Sequence, residues 1–318
     1  MKKISILGAG LAGQSVSYHL KNNNCILYEK NSYLGGHIYS EKVNNFIWDE
    51  GPHVSFTKDK YVKELFLKSV GNDYLEYDVS TVNYFKGHWI PHPAQTNLFA
   101  VPEKIRNECL KDFLALEKKE YQNPKNYFDW LCLSFGKKFA EEFPTRYTKK
   151  YWTVHPKELT TDWVGSRIYS PNKDEVIQSC NGPLNKKVHY IQSVRYPKFG
   201  GYNSFSSVFH DGINVQYNKK INQIDLYNKK IYFCDGSNSE YTTMINTIPL
   251  PEFIKYSNVS KECKDAASSL AYTKLLIVNV IVNHPTVRKD NWIYVYDEDK
   301  YSTRINFTEL LSPENGMK

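Results

Sequence analysis

Arginine, paired cysteine and long apolar runs are all scarce in this 318-residue chain, and each scarcity excludes something. The six cysteines, at positions 25, 109, 132, 180, 234 and 263, are scattered and form no C-x-x-C pair. Neither a disulfide framework nor a metal site is indicated, and reduced thiols in a cytoplasmic protein are the expectation. No uncharged apolar run nears the roughly 18 residues of a membrane span. The best is the stretch 275–282, which contains Asn279. The Met-Lys-Lys opening resembles a leader only briefly, because Gln14, Ser15, Ser17 and His19 interrupt any apolar region. Of 41 basic residues only six are arginine, at 106, 146, 167, 195, 288 and 304. A nucleic-acid groove would cluster them, so no nucleic-acid partner is expected. The basic doublets Lys118-Lys119, Lys137-Lys138 and Lys149-Lys150 read as solvated helix faces. The net charge of +7 still favours an anionic small ligand. No G-x-S-x-G, Walker A or H-E-x-x-H motif is present, which removes the common hydrolase constellations.

What is there begins at residue 4. Ile4-Ser5-Ile6-Leu7 reads as a strand, followed at once by Gly8-Ala9-Gly10-Leu11-Ala12-Gly13 and a helix to about Leu20, with Leu11, Val16 and Leu20 on its buried face. Cys25-Ile26-Leu27-Tyr28 is a second strand ending in Glu29. Three glycines at this spacing are weak evidence alone, but strand, turn, helix and a terminal acid together fit a dinucleotide site. Gly8 permits the tight turn, Gly10 the approach of a pyrophosphate, and Gly13 close helix–strand packing. Glu29 can accept hydrogen bonds from ribose hydroxyls. A short strand at 46–48, a helix at 59–70 and loose alternation over 77–90 follow. Segments 103–121, 127–133 and 137–151 are helical, whereas 171–195, with Pro171, Gly182 and Pro183, reads as an irregular insertion. Strands are expected at 213–217, 221–226, 231–234, 244–248, 275–282, 293–296 and 303–307, with Asn228-Lys229 turning a hairpin.

The run Glu29-Lys30-Asn31-Ser32-Tyr33-Leu34-Gly35-Gly36-His37 resembles the Glu-x(5)-Gly-Gly-Arg/His extension of the FAD-dependent amine oxidase and protoporphyrinogen oxidase-like superfamily. FAD is therefore the implied cofactor, with NAD(P) alone as the alternative. Gly51-Pro52-His53, the Pro-x-Asn-Leu-like segment at 91–98, Tyr147-Thr148-Lys149-Lys150-Tyr151-Trp152 and Tyr196-Pro197-x-x-Gly200-Gly201-Tyr202 are similar to segments of its UDP-galactopyranose mutase branch. The resemblance implies an α/β fold. It would have a Rossmann-like FAD-binding domain over 1–80 and 197–255, a helical segment over 103–170, and a mixed or antiparallel substrate-side sheet over 81–102, 171–196 and 256–318. That branch also carries a C-terminal segment that this chain would lack, so either a truncated or a naturally short form is expected.

By that resemblance the FAD contacts would be Gly8, Gly10, Leu11, Ala12, Gly13, Glu29, Lys30, Gly35, Gly36, His37, Gly51, Pro52, His53 and Ile221. His53 would stand beside the flavin, or else cap its own turn; His92, between two prolines, reads as structural. Trp152 could stack on a uracil ring or lie in the core. Arg167 and Arg304 could bind a diphosphate bidentately or form surface ion pairs. The activity implied is ring contraction of a nucleotide sugar on reduced FAD in surface polysaccharide assembly. The alternatives are an amine or protoporphyrinogen-type oxidase or desaturase needing oxidised flavin, and a non-catalytic member. The expected partner is a small molecule; the oligomeric state is not legible.

Overall fold

In the computed structural model, residues 3–20, 24–116, 123–186, 188 and 191–316 are described. The chain divides into two units: Met1–Leu75, Arg195–Asn283 and Ser312–Lys318 make one, Glu76–Val194 and His284–Leu311 the other. Residues 256–283, assigned from sequence to the substrate-side sheet, fall in the first.

In the first unit the opening apolar run forms β1 (Lys3–Leu7), and α1 (Leu11–His19) returns the chain to β2 (Asn24–Tyr28). β1 lies inside a four-stranded sheet, parallel both to β2 and to the strand Thr243–Asn246, with Val215–Gln216 beyond β2. Parallel strands buried on both faces read as continuous apolar runs, and Ile6, Leu7 and Leu27 are fully buried. The helix departs from expectation. Its buried residues are Gly13, Gln14 and Ser17, while Leu11, Val16 and Leu20 are only partly covered. Val16 and Leu20 do pack on the cluster of Ile6, Ala9, Cys25 and Leu27, while Gly13 is pressed against the Gly8 carbonyl and Gln14 faces the segment Tyr202–His210. Gln14 fits because its amide donates to the Ala9 carbonyl at 2.9 Å and its Oε1 lies 3.1 Å from His210 Nε2. Burial holds the His210 pKa below the usual range.

Two further pieces complete this unit. β3 (Ser40–Val43) and β4 (Phe46–Asp49) form a hairpin whose Asn44 and Asn45 both take positive φ, the conformation such turns demand. A three-stranded antiparallel sheet, Ile221–Asp225, Lys230–Phe233 and Asn238–Glu240, contains the hairpin expected at Asn228-Lys229. The strand expected at 275–282 is not formed. Those residues have no backbone pairing among the described residues, and Leu275, Leu276, Val278, Val280 and Val282 are 61–86% exposed. Apolar, β-branched composition favours a strand only where a partner edge supplies hydrogen bonds.

In the second unit a mixed sheet runs Arg304–Asn306, Trp292–Val295, Thr81–Phe85, His88–Pro91, with the middle pair parallel. Helices Glu103–Leu114, Tyr127–Phe135 and Arg146–Trp152 cover a core rich in phenylalanine, including Phe85, Phe135, Phe139 and Phe143. The end of the helix expected over 103–121, with Lys118-Lys119, lies outside the described residues. The supposed irregular insertion contains the helix Lys173–Asn181. Its start is a capping box in which Asn172 accepts from the Glu175 N–H and Glu175 from the Asn172 N–H, and Gly182 ends it. No helix among the described residues is long and apolar enough to cross a membrane.

Candidate functional site

The sequence-expected cofactor residues all fall in the first unit. Gly8 adopts φ +92°, and a Cβ on Gly13 would lie 1.9 Å from the Gly8 carbonyl oxygen, so both glycines are demanded by the fold itself. Gly10 is different. It is the N-cap of α1 in an extended conformation, and a Cβ there would meet only Gly35 O and Gly36 Cα, both at 3.9 Å. Gly35 and Gly36, at φ +123° and +55°, carry the second glycine turn against the first. The Gly35 N–H donates to the Ala9 carbonyl at 3.0 Å, and Gly10 and Gly35 form a parallel bridge.

The start of α1 is open in a way that suits an anion. No side chain caps it and its first turn holds no acidic residue. The amides of Leu11, Ala12 and Gly13 precede the first intrahelical donor, Gln14, which bonds the Gly10 carbonyl at 3.0 Å. Glu29 is buried at the end of β2, but both its oxygens already serve the protein. Oε2 accepts from the Ala9 N–H at 2.8 Å and Oε1 from the Asn31 N–H at 2.9 Å. A carboxylate oxygen has more than one lone-pair direction, so ribose hydroxyls still have acceptors. Lys30 and His37 are exposed, with His37 Nδ1 3.1 Å from Glu50. Ile221 is a core residue packed with Leu7 and Tyr28.

Gly51, at φ +91°, and Pro52 lead to His53, which is half-buried. His53 Nδ1 lies 2.7 Å from the Gly51 carbonyl, so that nitrogen carries the proton and the ring caps its own turn. In the neutral ring Nε2 is then an acceptor. Beneath the turn sits a residue that sequence reasoning missed. Asp49 Oδ1 accepts from Ser40 Oγ at 2.6 Å and from the Tyr202 N–H at 3.0 Å, and Oδ2 accepts from Tyr196 Oη at 2.8 Å. Burial pushes the Asp49 pKa up against these hydrogen bonds. The signal was present in Asp49-Glu50-Gly51-Pro52, but its partners lie up to 153 residues away.

The substrate-side candidates belong to the second unit. Trp152 is 42% exposed at the end of the helix Arg146–Trp152, edge-on to Tyr151 and 6.5 Å from Trp163. Tyr147 stacks on Tyr151 and packs on Tyr294 and Tyr296. Arg304 pairs in register with Tyr294, which brings it to this aromatic group, while Arg167 is exposed on the turn Gly165–Arg167 and joins neither. His92 Nδ1 lies 3.0 Å from Asn83 Oδ1 and its ring packs 4.8 Å from that of Tyr294, as a structural histidine would.

Two of the lysines read as solvated are not. Lys138 bonds Glu108 at 2.8 Å and Glu142 at 3.1 Å. Lys150 donates to the carbonyls of Val295, Asp297 and Ser302 at 2.8–2.9 Å, and burial lowers its pKa. Lys150→Met leaves three acceptors unserved and is expected to cost about 2–3 kcal/mol. A lowered urea midpoint with faster amide exchange in Trp292–Val295 checks this.

Comparison with known proteins agrees with this geometry. Residues 6–68 match the family model described as an NAD(P)-binding Rossmann-like domain. Over 100% of its length the chain superposes on 72% of a reduced UDP-galactopyranose mutase structure, with a TM-score of 0.89 and 22% identity. A putative protoporphyrinogen oxidase from Exiguobacterium follows the same fold over 99% of this chain and 74% of its own, with a TM-score of 0.67 and 13% identity. The chain thus has the α/β Rossmann-like fold expected, in the form seen in the mutase and protoporphyrinogen oxidase-like structures. Among curated proteins it is similar to a 1-hydroxycarotenoid 3,4-desaturase of Flavobacterium, 29% identical over 40% of this chain and 28% of the desaturase. A 4,4'-diapophytoene desaturase of Staphylococcus aureus is 24% identical over 40% and 27%. The chain therefore spans little more than a quarter of the curated relatives it matches.

Proposed function

We propose that this chain binds FAD and belongs to an enzyme acting on a nucleotide sugar, in the manner of the UDP-galactopyranose mutase whose fold it shares. The observation that carries the cofactor reading is the pair of glycine turns bonded to each other beside an uncapped helix start. Gly10 is bare although nothing among the described residues would obstruct a side chain there. The amides at the start of α1 would hold the pyrophosphate, and Glu29 would accept from the ribose. When bound, FAD supplies a ring that accepts or returns an electron pair. His53 Nε2, acceptor in its neutral form, suits an N–H on that ring better than a carbonyl oxygen. The substrate reading is supported by the length of the fold match and by Trp152 and Arg304 flanking the aromatic group around Tyr147.

The test is a visible spectrum after incubation with FAD and desalting, followed by UDP-galactopyranose with and without dithionite. A retained flavin band and a ring-contracted product only under dithionite are expected. Loss of all flavin on desalting would overturn the cofactor reading. Flavin retention with oxygen-dependent substrate oxidation, and no ring contraction, would favour the oxidase or desaturase reading that the carotenoid desaturase likeness suggests.

A further inference from the structure

We propose that a basic cleft in the second unit binds a small anion bearing phosphoryl groups, at a site distinct from the dinucleotide cradle. The cleft is about 360 Å³, within the range of small-ligand pockets. Every residue lining it belongs to the second unit, and neither Tyr147, Tyr151 nor Trp152 is among them. It is therefore also separate from the aromatic face proposed for the sugar nucleotide. Four cationic side chains, Lys137, Arg146, Lys149 and Lys157, stand against two carboxylates, Glu141 and Glu298. With His155 neutral, the lining carries a surplus of two positive charges.

The cations are not equally committed. Arg146 is the fixed member, held 3.1 Å from both Glu142 and Glu298. Lys137 and Lys149 stand 3.8 Å from Glu141 and Glu298, at the long limit of an ion pair, so their ammonium groups are free to turn inward. Lys157 has no carboxylate partner among the described residues; its ammonium lies 5.3 Å from the centre of the Phe128 ring. A single carboxylate ligand would neutralise half of the surplus. A phosphate dianion matches it, a diphosphate exceeds it by about one charge, and either offers enough oxygens for several ammonium groups at once.

His155 gives the cleft an uncharged hydrogen-bond donor. Its Nδ1 accepts from the Lys157 N–H at 3.1 Å, within a capping box completed by Glu158 accepting from the His155 N–H. In the neutral ring Nε2 therefore carries the proton, and no described residue accepts from it. The groups around His155 are the Phe128 ring from the helix Tyr127–Phe135, Lys149 from the helix Arg146–Trp152, and Lys157 and Glu158 from its own turn. Burial, with Lys149 and Lys157 beside it, holds its pKa below the usual range. A second proton would have to go to Nδ1 and displace the Lys157 N–H, so His155 serves an anion as a neutral Nε2–H donor.

The probe is inorganic pyrophosphate, titrated calorimetrically into the full chain with FAD in excess, beside inorganic phosphate and sulfate. We expect one pyrophosphate per chain at this cleft, with weaker phosphate binding and at least tenfold weaker pyrophosphate binding in a Lys149→Ala/Lys157→Ala double variant. An exposed lysine elsewhere, replaced in Lys264→Ala, leaves binding unchanged. The double variant reports on this cleft whether or not FAD binds, because both lysines lie in the other unit from the glycine turns. Pyrophosphate binding that is equal in wild type and the double variant, or absent up to about 10 mM, overturns the proposal.

Discussion

Gly10→Ala is expected to leave the protein folded and to reduce its affinity for FAD at least a hundredfold. The two halves of this result have separate causes. Gly10 has φ −67° and ψ 178°, which any residue adopts, and a new Cβ would find its neighbours at an ordinary 3.9 Å. Stability should therefore move by no more than about 0.5 kcal/mol. The methyl group would instead occupy the space through which a pyrophosphate reaches the start of α1. Gly13→Ala is the contrasting case. Its Cβ would sit 1.9 Å from the Gly8 carbonyl oxygen, and the obstacle is backbone, which cannot step aside as a side-chain tip can. Helix and strand must part, at a cost of about 3 kcal/mol or more. Urea midpoints and the flavin retained after desalting separate the two variants. A Gly10→Ala protein that holds FAD like the wild type would refute the placement of the cofactor.

The second large effect concerns Asp49. Asp49→Ala removes the carboxylate to which the Ser40 and Tyr196 hydroxyls and the Tyr202 amide all donate, and should cost about 3–5 kcal/mol. Asp49→Asn keeps an oxygen for Ser40 and Tyr202 and turns its amide toward Tyr196 Oη, so about 1 kcal/mol is expected. The pH dependence gives the sharper check. Burial sets the folded pKa of Asp49 above its unfolded value. Between those two values the native state holds more protons than the unfolded chain, so stability declines as the pH rises through that interval. Asp49→Asn lacks this slope. The stability of wild type relative to Asp49→Asn should thus fall from about pH 4 upward and then level off. A difference that stays constant over that range would mean that burial does not govern this carboxyl.

These contrasts also show which features can be read from sequence. The Gly8–Gly13 turn was legible because its demands are local: conformation, closeness and an uncapped helix all fall within six residues. The buried face of α1 was legible only in part: Val16 and Leu20 pack on the core as expected, but the most covered residues are Gly13, Gln14 and Ser17, through contacts such as Gln14–His210 that apolarity does not encode. Asp49 was invisible because Tyr196 and Tyr202 reach it from 147 and 153 residues away. The helix Lys173–Asn181 could have been found: Asn172, Glu175 and Gly182 spell its start and stop, but the neighbouring prolines drew attention to loop. At 275–282 composition spoke for a strand, while strand formation depends on a partner edge that composition does not encode.

The place of β1 inside its sheet has a bearing on how the chain is made. Ile4 must meet Thr243, and Leu7 must meet Asn246, before β1 has both its neighbours. At bacterial or eukaryotic elongation rates, the ribosome needs roughly 10–50 s to emit the intervening residues. Throughout that interval the first strand pair offers an open edge and a bare glycine turn to the cell. The second unit's first block, Glu76–Val194, emerges meanwhile. The glycine turn is thus made long before the strand that completes its sheet, and nascent chains have reason to be guarded by a chaperone until the strand Thr243–Asn246 arrives.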